Sequence, residues 1–254
     1  MKVAYCFYGQ PRRIDEGFAI VEKFMKKNPD IHIDFFYHTW FSKDISTNVY
    51  DASPWRGLDT NDLLIQPDSI NKLNTLYAPK AYQVDEPKKF NSTIESIKES
   101  ILYKITPDKY IQNLNNTLSQ LYSIQQACNV LQTYIQNSGI QYDYIILSRF
   151  DFRKEIEIQL HMLTNTMLYL SNIQESIKHF GAYYISNYEI FLNITNTFDN
   201  LINLINNTEL ITVFSQLTGI SANLNVEQII SMNYLFFYKN YENINFTPLI
   251  PNFI

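Results

Sequence analysis

Tyr142-Asp143-Tyr144-Ile145-Ile146-Leu147-Ser148-Arg149-Phe150-Asp151-Phe152 is the stretch on which the fold reading turns. Residues 144–147 are apolar and partly β-branched. Such a run reads as a strand buried on both faces, as at the centre of a parallel sheet. It ends in Arg149-Phe150-Asp151. Residues two apart in extended chain project to the same side, and open α/β sheets bind ligands at the carboxyl ends of their strands. Arg149 there suits a phosphate, and Asp151 suits a divalent metal or a sugar hydroxyl. The plain structural alternative is an Arg–Asp ion pair capping the strand.

Working outward, residues 2–8 read as a first strand. It runs into Gly9-Gln10-Pro11-Arg12-Arg13, where glycine permits close backbone approach and proline sets a turn. Arg12 and Arg13 stand where a helix should begin, so they can meet an anion together with free helix amides. The Gly-Lys-Ser/Thr ending of a phosphate-binding P-loop is missing; a solvated arginine pair is the alternative. Residues 14–27 carry Phe18, Val21, Phe24 and Met25 at helical spacing, with Lys26 and Lys27 at the end that favours cations. Residues 31–37 read as a second strand, followed by His38-Thr39-Trp40. Strand–helix–strand at this spacing is a βαβ unit. It brings residues 9–13, 38–40 and 149–151 to one rim. No second ligand stands at metal spacing from His38, so a zinc site is rejected. Trp40 either stacks on a ligand ring or packs.

Residues 42–74 are polar and turn-rich, with Asp59, Asp62 and Asp68 as caps or turns. Residues 79–84 read as a short strand near a sheet edge, and residues 90–110 as a solvated helix or insert. Leu118, Leu121, Ile124, Cys128, Leu131 and Ile135 recur at three- and four-residue steps, so residues 114–137 form a long helix ended by Ser138-Gly139. Its polar residues Gln120, Ser123 and Gln126 face either the cleft or solvent. Residues 167–170 and 182–185 are further strands, and 188–192 continue the sheet or begin a helix. Residues 198–206, 210–217 and 226–235 read as helices, and 245–254 as a tail over the core. Glu227 opens the 226–235 helix, where a carboxylate is also explained by the helix dipole.

The 254 residues are 46% hydrophobic, enough for one large domain with a real core. A net charge of -5 and the lack of a basic stripe argue against nucleic acid as the main partner. Cys6 and Cys128 lack metal spacing and read as buried, reduced thiols. The apolar start is too short for a signal peptide and no run reaches membrane-spanning length, so the expectation is a cytoplasmic protein without a membrane span. An aromatic share of 15% is compatible with a self-association surface and hence a homo-oligomer.

Four segments occur in order: Tyr8-Gly9-Gln10-Pro11-Arg12, Asp34-Phe35-Phe36-Tyr37-His38-Thr39-Trp40, residues 142–151, and Val226-Glu227-Gln228-Ile229-Ile230. Together they resemble a group of GT-A-type glycosyltransferase-like proteins found among bacterial surface-polysaccharide genes and in large DNA viruses. The resemblance implies an α/β, Rossmann-like fold with a mostly parallel sheet flanked by helices. It implies one domain over 1–254, with 1–151 as nucleotide-binding half and 152–254 as acceptor-side half. It further implies transfer of a sugar from a nucleotide-sugar donor to a glycan acceptor. In the wider class an Asp-x-Asp motif holds Mn or Mg on the donor diphosphate; here Arg149 replaces the first Asp. Two consequences compete. Either Asp151 binds the metal while Arg149 contacts ribose or phosphate, or Arg149 substitutes for the metal's charge; the reading leans to the former. On this resemblance Tyr8, Gly9, Gln10, Arg12, Arg13, His38, Trp40, Ser123, Arg149 and Asp151 line the donor site. Glu227 and Glu189 are the candidate bases and Arg149 stabilises the leaving group. The related proteins often carry an Asp near Asn187-Tyr188-Glu189, which this chain lacks. A binder of nucleotide or carbohydrate without turnover is the alternative.

Overall fold

The structure is a computed structural model, and it describes residues 1–44, 65–111, 113–151, 159–163, 168–170 and 183–237. The chain begins with β1 (Lys2–Tyr8), α1 (Ile14–Lys27) and β2 (His32–Trp40). Then come α2 (Ser69–Tyr77), β3 (Ala81–Asp85) and three short helices, α3 (Asn91–Lys98), α4 (Ile101–Ile105) and α5 (Asp108–Ile111). The long helix α6 (Leu114–Ser138) leads into β4 (Tyr144–Arg149). After β5 (Tyr169–Leu170) and β6 (Tyr183–Ser186) the described chain is helical: α7 (Tyr188–Thr195), α8 (Thr197–Ile205), α9 (Thr208–Thr218) and α10 (Val226–Phe237).

Six described strands form one sheet in the order β3-β2-β1-β4-β6-β5. The first four are parallel; β6 runs antiparallel to β4, and β5 antiparallel to β6. The expected α/β class with a mostly parallel sheet is therefore what the chain adopts. β1 and β4 are neighbours at its centre, with Tyr8 opposite Arg149.

Period-two alternation explains why these strands are apolar throughout. Ala4, Cys6, Tyr8, Ile145 and Leu147 pack into the core beneath α6 to α10. Val3, Tyr5, Phe7, Tyr144 and Ile146 pack into a second core with α1 and α2. Both faces are covered, so polar positions within these central strands are rare, and two flanking ones carry specific bonds. At the amino edge Tyr142 donates from its hydroxyl to Asp34 Oδ2 at 2.8 Å, and the Lys2 amide donates to Asp143 Oδ2 at 2.7 Å. The acidic positions of two motifs, Asp34 and Asp143, thus hold the far end of the sheet.

The structure departs from the sequence reading in several places. β2 continues through Trp40, so His38, Thr39 and Trp40 lie within the strand, because β3 pairs with them as far as Trp40↔Asp85. Of the alternatives read for 90–110 and 188–192 the chain takes the helical one, as three short helices in the first stretch and the start of α7 in the second. Ser69–Tyr77 is a helix that begins within the polar, turn-rich stretch and runs past its end, with Asp68 at its N-cap. The expectations for Asp59, Asp62 and the 245–254 tail fall outside the described residues. Helix α6 follows its periodicity closely, ending at Gly139 with φ 68°.

Candidate functional site

The carboxyl ends of β1, β2 and β4 meet around the Gly9 turn. Gly9 has φ 98°, a conformation that side-chain-bearing residues avoid. Three bonds fix it. Its amide donates to Ser123 Oγ at 2.8 Å, while its carbonyl accepts from Thr39 Oγ1 at 2.9 Å and from the Trp40 amide at 3.3 Å. A short turn follows, with the Arg12 amide donating to Gln10 O at 2.9 Å. Arg13 adopts φ 51° as the N-cap of α1.

This turn delivers Arg12 to the end of β4. Arg12 Nη2 lies 3.0 Å from Asp151 Oδ2. Arg149 holds the same carboxylate with a two-pronged grip, Nε to Oδ1 at 2.9 Å and Nη2 to Oδ2 at 3.0 Å. Arg12 is buried and the other two are mostly so. Burial pushes the Asp151 pKa up, but the Arg149 and Arg12 charges outweigh it and hold the carboxyl below its ordinary value.

A glycine makes the approach possible. Gly17 is buried on α1, and a methyl there would come 1.9 Å from the Phe150 carbonyl oxygen. α1 therefore packs directly on the backbone of the Arg149-Phe150-Asp151 turn. The Phe150 ring anchors the other side, stacked 5.2 Å from Phe7.

Tyr8 is buried next to this cluster. Its hydroxyl pKa is raised, first by burial; Arg149 opposes the rise, and Glu227 and Asp151 add to it. Tyr184 is raised as well, by burial and then by Tyr8 and Glu227. Glu227 is thus within electrostatic reach of Tyr8 and Tyr184. It is half-buried in the first turn of α10, and its amide donates to Asn225 Oδ1 at 2.8 Å. That bond is a helix N-cap, so the dipole explanation for Glu227 also holds.

A second network runs along the rim to β3. His38 and Ser123 are fully buried. Ser123 Oγ takes the Gly9 N–H and shares a second hydrogen bond with His38 Nδ1, 2.7 Å away. His38 Nε2 faces Asp85 Oδ2 at 3.4 Å, outside hydrogen-bond geometry. Burial lowers the His38 pKa from 6.5 to about 4 despite Asp85, so the ring is neutral. Tyr122 and Gln83 complete the Asp85 carboxylate, donating at 3.0 Å each.

The expected site residues are thereby sorted. Tyr8, Gly9, Gln10, Arg12, Arg149 and Asp151 come together at the β1–β4 rim, and Glu227 is within electrostatic reach of Tyr8. Arg13 turns to its own helix, with Nη1 3.4 Å from Glu16 Oε2. His38 and Ser123 were expected to touch ligand; in the fold Ser123 Oγ meets the Gly9 amide and His38 Nδ1, and His38 Nε2 faces Asp85, so both are buried behind the Gly9 turn and brace it. Trp40 packs, stacked 5.3 Å from Tyr122 with Nε1 donating to Ser119 O at 3.3 Å. Glu189 is not brought to this rim. β6 runs antiparallel to β4, pairing Ser148↔Tyr183 and Ile145↔Ser186, so the chain leaves β6 at the amino edge. Ser186 ends opposite Ile145, roughly 13 Å along the strand direction from Arg149, and Glu189 follows it, exposed in the first turn of α7. Asp85 and Tyr122 were missed. The only signal was the strand ending in Asp85, read one residue too short.

The expected Mn or Mg at Asp151 does not fit its donors. Both oxygens accept from guanidinium groups, whose charge repels a cation. Among the described residues no three His, Cys, Asp or Glu side chains cluster as metal ligands. No step below is routed through a metal.

No protein-family model matches the chain, and no curated protein matches it. Among solved structures it is similar to the crystal structure of the galactosyltransferase LgtC in complex with donor and acceptor sugar analogues. The identity is 8% and the TM-score 0.32, over 92% of this chain and 70% of that chain. A likeness at that level transfers no function. No described helix is long and apolar enough to cross a membrane.

Proposed function

We propose that the chain is a nucleotide-sugar-dependent glycosyltransferase acting on a glycan acceptor, with its donor at the β1–β4 rim. The observation that carries this reading is the meeting of Arg12 and Arg149 on Asp151 beside the Gly9 turn. Sugar transfer breaks the bond between the anomeric carbon and the diphosphate oxygen, and negative charge grows on the leaving group. Fixed guanidinium groups in a partly dry site stabilise such charge. Arg12 and Arg149 take that role, and Asp151 holds both in register for it. Glu227 is the candidate base for the acceptor hydroxyl, at a rim position close to Tyr8. The GT-A-type resemblance of the four sequence segments supports the same assignment. Glu189 has no part in it.

The second reading is a nucleotide- or carbohydrate-binding protein without turnover. It is favoured by the arginine pair closing on the one carboxylate of the Arg-x-Asp motif. The test is a thermal-shift panel of UDP, GDP, CMP and dTDP in EDTA, followed by hydrolysis and transfer assays with the matching nucleotide sugars. A folded-state ligand raises the apparent stability. Stabilisation by one nucleotide, weakened in Arg12→Ala, together with sugar release is the expected result. Stabilisation without release selects the binder. No shift with any nucleotide refutes both readings of this rim.

A further inference from the structure

Lys88 leaves β3 on an exposed connection, and its ammonium turns back onto aromatic rings. Nζ lies 3.5 Å from the Tyr122 ring centroid, 5.7 Å from that of Trp40 and 5.8 Å from that of Phe90. All three are within the roughly 6 Å at which a ring face attracts a cation. The rings form a cup with one another: Trp40 stacks on Tyr122 at 5.3 Å, and Phe90 is 5.8 Å from Tyr122 and 6.5 Å from Trp40.

The cup is built from fixed parts. Trp40 belongs to β2, and Tyr122 belongs to α6 with its hydroxyl on Asp85 at 3.0 Å. The Phe90 amide donates to Asn115 Oδ1 at 3.1 Å, and Phe198 closes the back at 5.6 Å from Phe90 and 5.5 Å from Tyr122. The occupant is the exposed part: residues 86–89 are exposed and form neither helix nor strand, and Lys88 is among them, whereas Phe90 is buried. The Asp85 carboxylate behind Tyr122 adds negative potential. A cup of three preset ring faces plus a nearby carboxylate selects positive charge over a merely apolar group.

We propose that Trp40, Phe90 and Tyr122 form a binding site for an organic ammonium group, occupied by Lys88 in the free protein. The ligand class is an amine with its charge in a compact head, either a quaternary ammonium or the ammonium of an amino sugar. Lys88 acts as a tethered competitor and withdraws when such a ligand enters. The cup lies on β2, two strand spacings or about 10 Å from β4. It shares the rim with the arginine pair but does not depend on the transferase reading.

The probes are choline and its uncharged isostere 3,3-dimethylbutan-1-ol, with glucosamine and glucose as a second pair. Binding is followed by ligand-observed NMR on wild type, Lys88→Ala, and Lys88→Ala combined with Tyr122→Leu or Tyr122→Phe. Choline or glucosamine should bind Lys88→Ala roughly tenfold more tightly than wild type. The neutral partner should not bind, Tyr122→Phe should keep the affinity, and Tyr122→Leu should lose it. The better of the two amines tells quaternary head from amino sugar. Lys88→Gln, one atom shorter and without the charge, gives the same answer should Lys88→Ala fail to fold. Equal binding of charged and neutral partners, no amine binding to a folded Lys88 variant, or full binding after Tyr122→Leu would overturn the proposal.

Discussion

Replacing Gly17 with alanine sets two effects of opposite sign against each other. Gly17 is within α1, and alanine in a helix interior is favoured over glycine by about 1 kcal/mol. Local propensity alone therefore makes Gly17→Ala stabilising. The packing says otherwise. The new methyl would meet the Phe150 carbonyl oxygen at 1.9 Å and its carbon at 3.1 Å. The obstacle is backbone, so relief requires α1 and the end of β4 to separate by about 1 Å to reach even the 3.0 Å limit of real contacts. Overpacking of this kind costs about 1–3 kcal/mol, and the rigid neighbour places it at the upper end. The net expectation is a loss of about 2 kcal/mol, or roughly 4–8 °C in Tm for a chain of this size. Urea denaturation followed by circular dichroism measures it. Ala19→Gly, at an exposed position of the same helix, isolates propensity and should cost about 1 kcal/mol. A Gly17→Ala protein as stable as wild type, or more so, would refute the close approach of α1 to the Arg149-Phe150-Asp151 turn.

Three further outcomes follow from the buried groups. His38 stays neutral in the fold down to about pH 4 but protonates near 6.5 when unfolded. The unfolded state thus binds the extra proton first, and stability falls as pH drops from 6.5 to 4, by about 3 kcal/mol in total; an NMR titration placing the native His38 transition near 6.5 would sink this. Asp151→Asn leaves the buried Arg12 and its neighbour Arg149 facing a neutral amide, and should cost on the order of 3 kcal/mol at pH 7. The wild-type advantage is present above the ordinary aspartate pKa and disappears as pH falls through the lowered native one; equal urea midpoints at pH 7 would contradict the pairing. Burial raises the Cys6 thiol, and also the Cys128 thiol to about 11, so neither should react with iodoacetamide before the chain opens. Rapid labelling of the native protein would show that the core beneath α6 to α10, which holds both thiols, is not closed.

Strands and the long helix were legible because burial imposes periodicity. Residues 144–147 are apolar at every position because two cores press on β4, and α6 announces itself by one apolar stripe of constant pitch. The parallel βαβ start and the meeting of Gly9, Arg12, Arg149 and Asp151 at one rim also followed from order and spacing, since strand ends in a parallel sheet share an edge. The edge to which Glu189 goes was not legible, for the same reason turned around. Nothing in residues 183–186 states their direction, and a reversed strand sends the next helix to the opposite edge.

By itself the sequence determined the α/β class, the central strands, the cysteines as core residues and the rim where charged residues gather. Tertiary structure alone decided which atoms those charges meet. It closed Arg12 and Arg149 on Asp151, drew His38 and Ser123 inward to brace Gly9, and seated Lys88 among Trp40, Phe90 and Tyr122. Periodicity records which face of an element is dry, a local property carried by neighbouring residues. The contacts of Arg12 with Asp151, His38 with Ser123 and Lys88 with Tyr122 join groups dozens of positions apart, and only the packed chain brings them within reach.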